Sequence, residues 1–140
     1  MRMPEQLRRH SVALISLVVA LSSLAYNTWR NEQTEANRNV RTAGIELLLK
    51  LGELDQVVFF SHFEMDSARG NPRQGWAIVL MVRDLGTLTP PPAADSTAAL
   101  YAAWNADWQG LGRDDAAHER IDAAIERARD DVRQVLAELD

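Results

Sequence analysis

A chain of 140 residues holds one small domain once about 30 residues are given to an apolar leader. It has no cysteine, which excludes a disulfide framework, a thiol nucleophile and a thiolate metal site. Its formal net charge is −5, with acids gathered in the last quarter, so it repels phosphate backbones and no nucleic acid partner is expected.

Residues 1–10 read as a short basic cytoplasmic tail. Arg2, Arg8 and Arg9 outweigh Glu5. Residues 11–29 read as a transmembrane signal-anchor helix. Val12 to Tyr26 contains no charge, Gly or Pro, and 11–29 covers about 28 Å at ~1.5 Å per residue, enough for a bilayer core. Arg8 and Arg9 abut the span, which favours a cytoplasmic N-terminus, although Arg30, Arg38 and Arg41 follow on the other side. Val12, Ser16, Ala20, Ser23, Tyr26 and Trp29 mark the span, with Trp29 at the interfacial end beside Arg30. The alternative is a signal peptide cut after Ala25, since Ser23-Leu24-Ala25 fits the small-x-small pattern. Both readings place the remainder of the chain outside the cytoplasm. Only Lys50 among 15 basic residues is lysine, and alanine is abundant. That suggests a GC-rich bacterial coding bias, hence an inner-membrane protein with a periplasmic domain. Ala13, Ser16, Ala20 and Ser23 form a stripe of small residues that can let two membrane helices approach.

Residues 30–39 belong to a run from Asn27 to Asn39 that is polar on every side, read as a helical stalk. Residues 40–140 read as an extracytoplasmic helical bundle domain. Val40, Gly44, Leu47, Leu51, Leu54 and Val58 keep heptad spacing, broadened by Leu48, Val57 and Phe59. Glu46 and Lys50 are an expected i,i+4 pair. This helix is expected to end near Arg69, before Gly70-Asn71-Pro72. A second helix of about 17 residues starts at Pro72, with Trp76, Val79, Leu80 and Val82 on its apolar side, and ends before Pro90. A third, capped by Asp95 or Ser96, carries Leu100, Tyr101, Trp104, Trp108 and Leu111. A fourth opens at Asp114 and Asp115 and runs through Ile121, Ile125, Ala128, Val132, Val135 and Leu139. The expected fold class is all-α: one transmembrane helix continuing into an antiparallel bundle of about four helices.

No catalytic constellation stands out. Ser61 and His62 are adjacent and point about 100° apart on a helix, and no strand-turn-helix elbow surrounds the serine. His62 with Asp66, and Asp114 with His118, are two-ligand pairs, too few for a zinc site unless they converge. Gly70 to Trp76 lacks phosphate-loop spacing and reads as a turn between helices. No catalytic, cofactor-binding or metal residue is therefore assigned, and no cofactor is expected. Tyr101, Trp104 and Trp108, with Trp76, read as core filler, as the lining of a pocket for an apolar or cationic ligand, or as a docking face for a partner, and Arg69 and Arg73 could meet an acidic one.

These readings predict a non-enzymatic single-span membrane protein whose helical domain binds protein, as an accessory or scaffold subunit of a bacterial envelope complex or by self-association. The expected partners are the lipid bilayer and a protein or a second copy. The layout of a cytoplasmic start, one span and a long helix into a bundle also resembles the extracytoplasmic four-helix-bundle domains of bacterial receptors. That resemblance implies a sensor-like domain for a small ligand, but such receptors carry a second span and none is legible up to Asp140.

Overall fold

The computed structural model describes residues 5–139, so residues 1–4 of the basic tail predicted for 1–10 lie outside the described residues, and residues 5–10 are the first turns of a helix. The described chain is helical, with no strand. α1 runs over Glu5–His62, α2 over Pro72–Gly86, α3 over Ala93–Asp107 and α4 over Asp115–Ala137. A 3-10 turn, Trp108–Gly110, joins the last two. The chain divides into two compact units, one up to Ala36 and one from Asn37, and α1 contributes to both.

In the first unit every side chain from His10 to Ala36 is exposed. Val12, Leu14, Ile15, Leu17, Val18, Val19, Leu21 and Leu24 are all more than half exposed. Among the described helices, α1 alone is long and apolar enough to cross a membrane. Tyr26 and Trp29 lie beside one another, ring centroids 6.2 Å apart.

The second unit has the core. Leu47, Leu51, Leu54 and Val58 of α1 are buried with Val79 and Val82, Leu100 and Trp104, and Ile121, Ile125, Ala128, Val132 and Val135. The heptad stripe predicted on α1 is thus its inner face, with Gly44 beneath Leu136. Contacts between α1 and α4 pair rising numbers on one with falling numbers on the other. The Arg41 guanidinium donates to the Leu139 carbonyl (2.8 Å), Asp55 meets Arg129 (3.7 Å), and His62 lies on His118. α2 packs on α3, where Gly75 lies on the Trp104 ring and Gly86 on Thr97. α3 packs on α4, tied by Asp107 accepting from both the Nε and Nη2 of Arg120 at 2.9 and 2.7 Å.

Local chemistry sets most helix ends. Asn71 caps α2, accepting from the Arg73 N–H at 3.0 Å, with Pro72 in the first turn where no donor is missed. Asp114 caps α4 by accepting from the Ala116 N–H at 2.9 Å, and Asp115 adds an acid to its first turn.

Four local expectations need correction. α1 stops at His62, before Arg69. The Phe63 N–H bonds the Phe59 carbonyl and the Asp66 N–H reaches back to the Phe60 carbonyl (3.1 Å), while Met65 takes a left-handed backbone, φ 49°. The closure is one residue wider than the 6→1 bond of a Schellman ending, with Met where Gly is usual. α3 starts at Ala93, so neither Asp95 nor Ser96 caps it. Ser96 and Thr97 are buried in the helix and donate to the Ala93 carbonyl. Lys50 pairs with Glu53 at 2.9 Å instead of Glu46. α2 and α3 have 15 residues each, shorter than expected, because Gly86 and the 3-10 turn end them early.

Candidate functional site

Trp76, Tyr101 and Trp108 meet edge to face, with Trp76 centroids 6.0 Å from each of the other two rings. Trp104 is fully buried, and this corrects its assignment as a partner-binding residue. Its ring lies where a Cβ on Gly75 would stand, so it fills the α2–α3 contact. The Trp104 indole N–H is buried with no hydrogen-bond acceptor among the described residues. Tyr101 and Trp108 are only half-buried, and Arg83 stacks on the Tyr101 ring at 4.8 Å. The cluster is therefore core with a reachable rim.

The loop after α1 is held by Asp66. Its carboxylate accepts from the Ala68 and Arg69 N–H groups and from the Arg69 guanidinium at 2.7 Å. The Arg69 side-chain bond first, then the two backbone bonds, pull the Asp66 carboxyl below the usual carboxylate range. Arg69 also reaches Glu64 and stacks on Phe60 at 4.0 Å. An acidic partner would have to compete with all of these, so its role as a free docking cation is weakened. Arg73 is exposed, with no ion pair among the described residues.

Of the two His–carboxylate pairs noted in the sequence, the structure brings together the histidines and leaves Asp66 and Asp114 elsewhere. His62 at the end of α1 stacks on His118 in the first turns of α4, with planes 6° apart and centroids at 4.0 Å. Phe63 sets its ring edge-on to both. His62 Nε2 lies 3.4 Å from the Asp115 carboxylate, while Nδ1 of each histidine is buried without a partner among the described residues. If His62 Nε2 carries the proton that faces Asp115, its Nδ1 is a bare acceptor. Among the described residues, no group of three or more His, Asp or Glu side chains is placed to hold a metal ion. Asp66 is turned to Arg69 and Asp114 to its own helix cap. Ser61 is half-buried under Gly70 and Gly112, both of which press on its backbone. No base is brought to its hydroxyl among the described contacts.

One surface was missed in the sequence. Ile45, Leu49 and Phe59 on the outward side of α1, and Phe63 just past its end, are 51%, 58%, 47% and 63% exposed. Phe59, read in the sequence as widening the core stripe, faces outward instead; the four residues are spaced by 4, 10 and 4, too broken a series to stand out beside the core stripe. The groove beside it, about 470 Å³, is open to solvent and lined by Asp55, Gln56, Phe59, Phe60 and Arg69.

No known family, curated protein or solved structure matches this chain.

Proposed function

We propose that this protein is a non-enzymatic, single-span membrane module whose helical domain binds protein, as a scaffold or accessory subunit of a bacterial envelope complex. In this reading residues 11–29 cross the inner membrane with the N-terminus in the cytoplasm. Residues 40–140 form an antiparallel bundle on the periplasmic side. The observation that carries it is the conjunction of two exposed apolar surfaces on one helix. The segment from Val12 to Leu24 has no protein cover in its own unit, and water cannot favourably solvate a surface of that size. The stripe Ile45, Leu49, Phe59 and Phe63 is a further apolar surface beyond the predicted span, and such surfaces mark interaction sites. The opposite-sense contacts between α1 and α4 support the bundle.

The test is extraction of the full-length protein, tagged at its C-terminus, from its native membrane in mild detergent. The expected result is an intact chain from Met1, resistant to carbonate washing, with a stoichiometric polypeptide bound. A soluble, solitary chain beginning at Tyr26 would sink the proposal.

A further inference from the structure

We infer, resting on the protein-binding reading above, that the partner presents a basic amphipathic helix, laid along the outward face of α1 within the second unit. Gly52 and Gln56 fill the interval between the exposed apolar residues. Ile45, Leu49, Gly52, Gln56 and Phe59, with Phe63 just past the helix end, step by 4, 3, 4, 3 and 4. This is the spacing of a seam between two helices. The fold does not use it, since the core stripe of Leu47, Leu51, Leu54 and Val58 lies on the other side of α1. A helix that is apolar on both sides is one that is covered on both. From Ile45 to Phe63 the strip runs about 27 Å at ~1.5 Å per residue, the reach of a helix of about 18 residues. Gly52 stands in the middle of it, and a Cβ there would meet nothing within 4 Å. Packing inside the domain does not explain a glycine in mid-helix, whereas the close approach of a second helix does.

Charge decides which kind of helix fits. α4 meets α1 through Arg41, Asp55 and His62, so this row is one edge of the strip. Glu46 and Glu53 form the other edge, by helical geometry. Across the first edge, Asp115 reaches His62 and Arg129 reaches Asp55. Asp122 is seven residues from each, so it stands between them on the side of α4 that borders α1, with Glu126 one turn further. The cations in this frame are already engaged. Lys50 is bonded to Glu53 at 2.9 Å, Arg129 to Glu126 at 2.8 Å, and Arg41 to the Leu139 carbonyl. Glu46 and Asp122 make no ion pair among the described residues. The charges left over along both edges are therefore acidic. An acidic frame repels its own duplicate, an anionic lipid surface and an acidic peptide, and it attracts lysine and arginine. Apolar residues at helical spacing, edged by basic side chains, complement the strip and its frame together.

The probe is a peptide of about 18 leucine and lysine residues at helical spacing, with one photoreactive diazirine on its apolar face. It is offered to the full-length chain in phosphatidylcholine nanodiscs, and the cross-links are mapped by mass spectrometry. The expected result is labelling within the segment from Ile45 to Phe63, falling about tenfold when glutamate replaces lysine in the peptide. High salt should release the lysine peptide from the parent chain, an arm that needs no substitution. Glu46→Lys with Asp122→Lys should reverse the preference between the two peptides at unchanged helicity, since neither side chain is buried. Equal labelling by both peptides, labelling confined to other parts of the chain, or binding indifferent to salt would overturn the inference. A photoreactive residue placed at Leu49 that joins two chains, or takes up lipid, would overturn it too, because the face would then have another occupant. Any of these results, found while a stoichiometric polypeptide still accompanies the detergent-extracted chain, would leave the proposed function standing. A chain extracted alone would remove both.

Discussion

His62 and His118 stack as parallel rings with centroids 4.0 Å apart, joining the last residue of α1 to the start of α4. Nothing in the local sequence of either pairs them. Each lies beside a carboxylate at helical spacing, and the fold discards both of those pairings for this one. Aromatic pairs of this kind contribute about 0.5–1.5 kcal/mol beyond the area they bury. A double-mutant cycle of His62→Ala and His118→Ala, read by urea unfolding of the full chain in detergent, should give a coupling of that size. A coupling near zero would show that the stack adds nothing to the contact between these two helix ends.

The two faces of α1 predict opposite responses to one substitution. Leu51 is fully buried, so Leu51→Asp places an unpaired charge in the core and should unfold the domain. Leu49, two residues earlier, points outward, and Leu49→Asp should change unfolding stability by no more than about 0.5 kcal/mol. Circular dichroism melting distinguishes the two. If Leu51→Asp leaves helicity and melting intact, the inner register of α1 is misassigned.

Met65 holds the left-handed position that closes α1. A side chain there costs roughly 1–2 kcal/mol against a glycine that adopts the same conformation freely. Met65→Gly should therefore raise the melting temperature, the more so because Met65 is 76% exposed and contributes little to packing. A lower melting temperature would mean that α1 does not end in this way.

Asp107 and Arg120 link α3 to α4, and their side-chain hydrogen bonds hold the Asp107 carboxyl below the usual carboxylate range. A group whose acidity is increased by folding stabilises the native state wherever it is ionised. The contribution is present above the ordinary carboxylate range and fades as pH falls through the lowered folded value. Stability measured from neutral pH downward should accordingly decline less steeply in Asp107→Asn than in the parent. Identical slopes would show that this pair carries no linkage.

The existence and order of the four helices were readable in the residues, because each carries an apolar period and three have their stop or start written in Gly, Pro or Asx. Asn71-Pro72 and Asp114 are such signals, and the structure uses both. The end of α1 was not readable. It depends on a methionine taking a glycine's conformation and on a carbonyl reached from six residues away, neither of which has a local pattern. The start of α3 was missed because Asp95 and Ser96 look like caps, yet the Ser96 hydroxyl satisfies the Ala93 carbonyl inside the helix. Trp104 was recognised as aromatic weight but not as fully internal, since its partner surface is a glycine on another helix, and a glycine offers no hydrophobic signal. The histidine stack required tertiary contact and had no sequence counterpart.

The four tryptophans are distributed so that the protein reports on itself optically. Trp29 is exposed and belongs to the first unit, while Trp76, Trp104 and Trp108 belong to the second, where Trp104 sees no water at all. Emission from Trp104 should sit at short wavelength and move red only when the core opens. On the proposed anchoring, emission from Trp29 should answer instead to lipid, and brominated acyl chains should quench it selectively. A chain retaining Trp29 alone, or one lacking only it, would separate insertion from unfolding in a single cuvette.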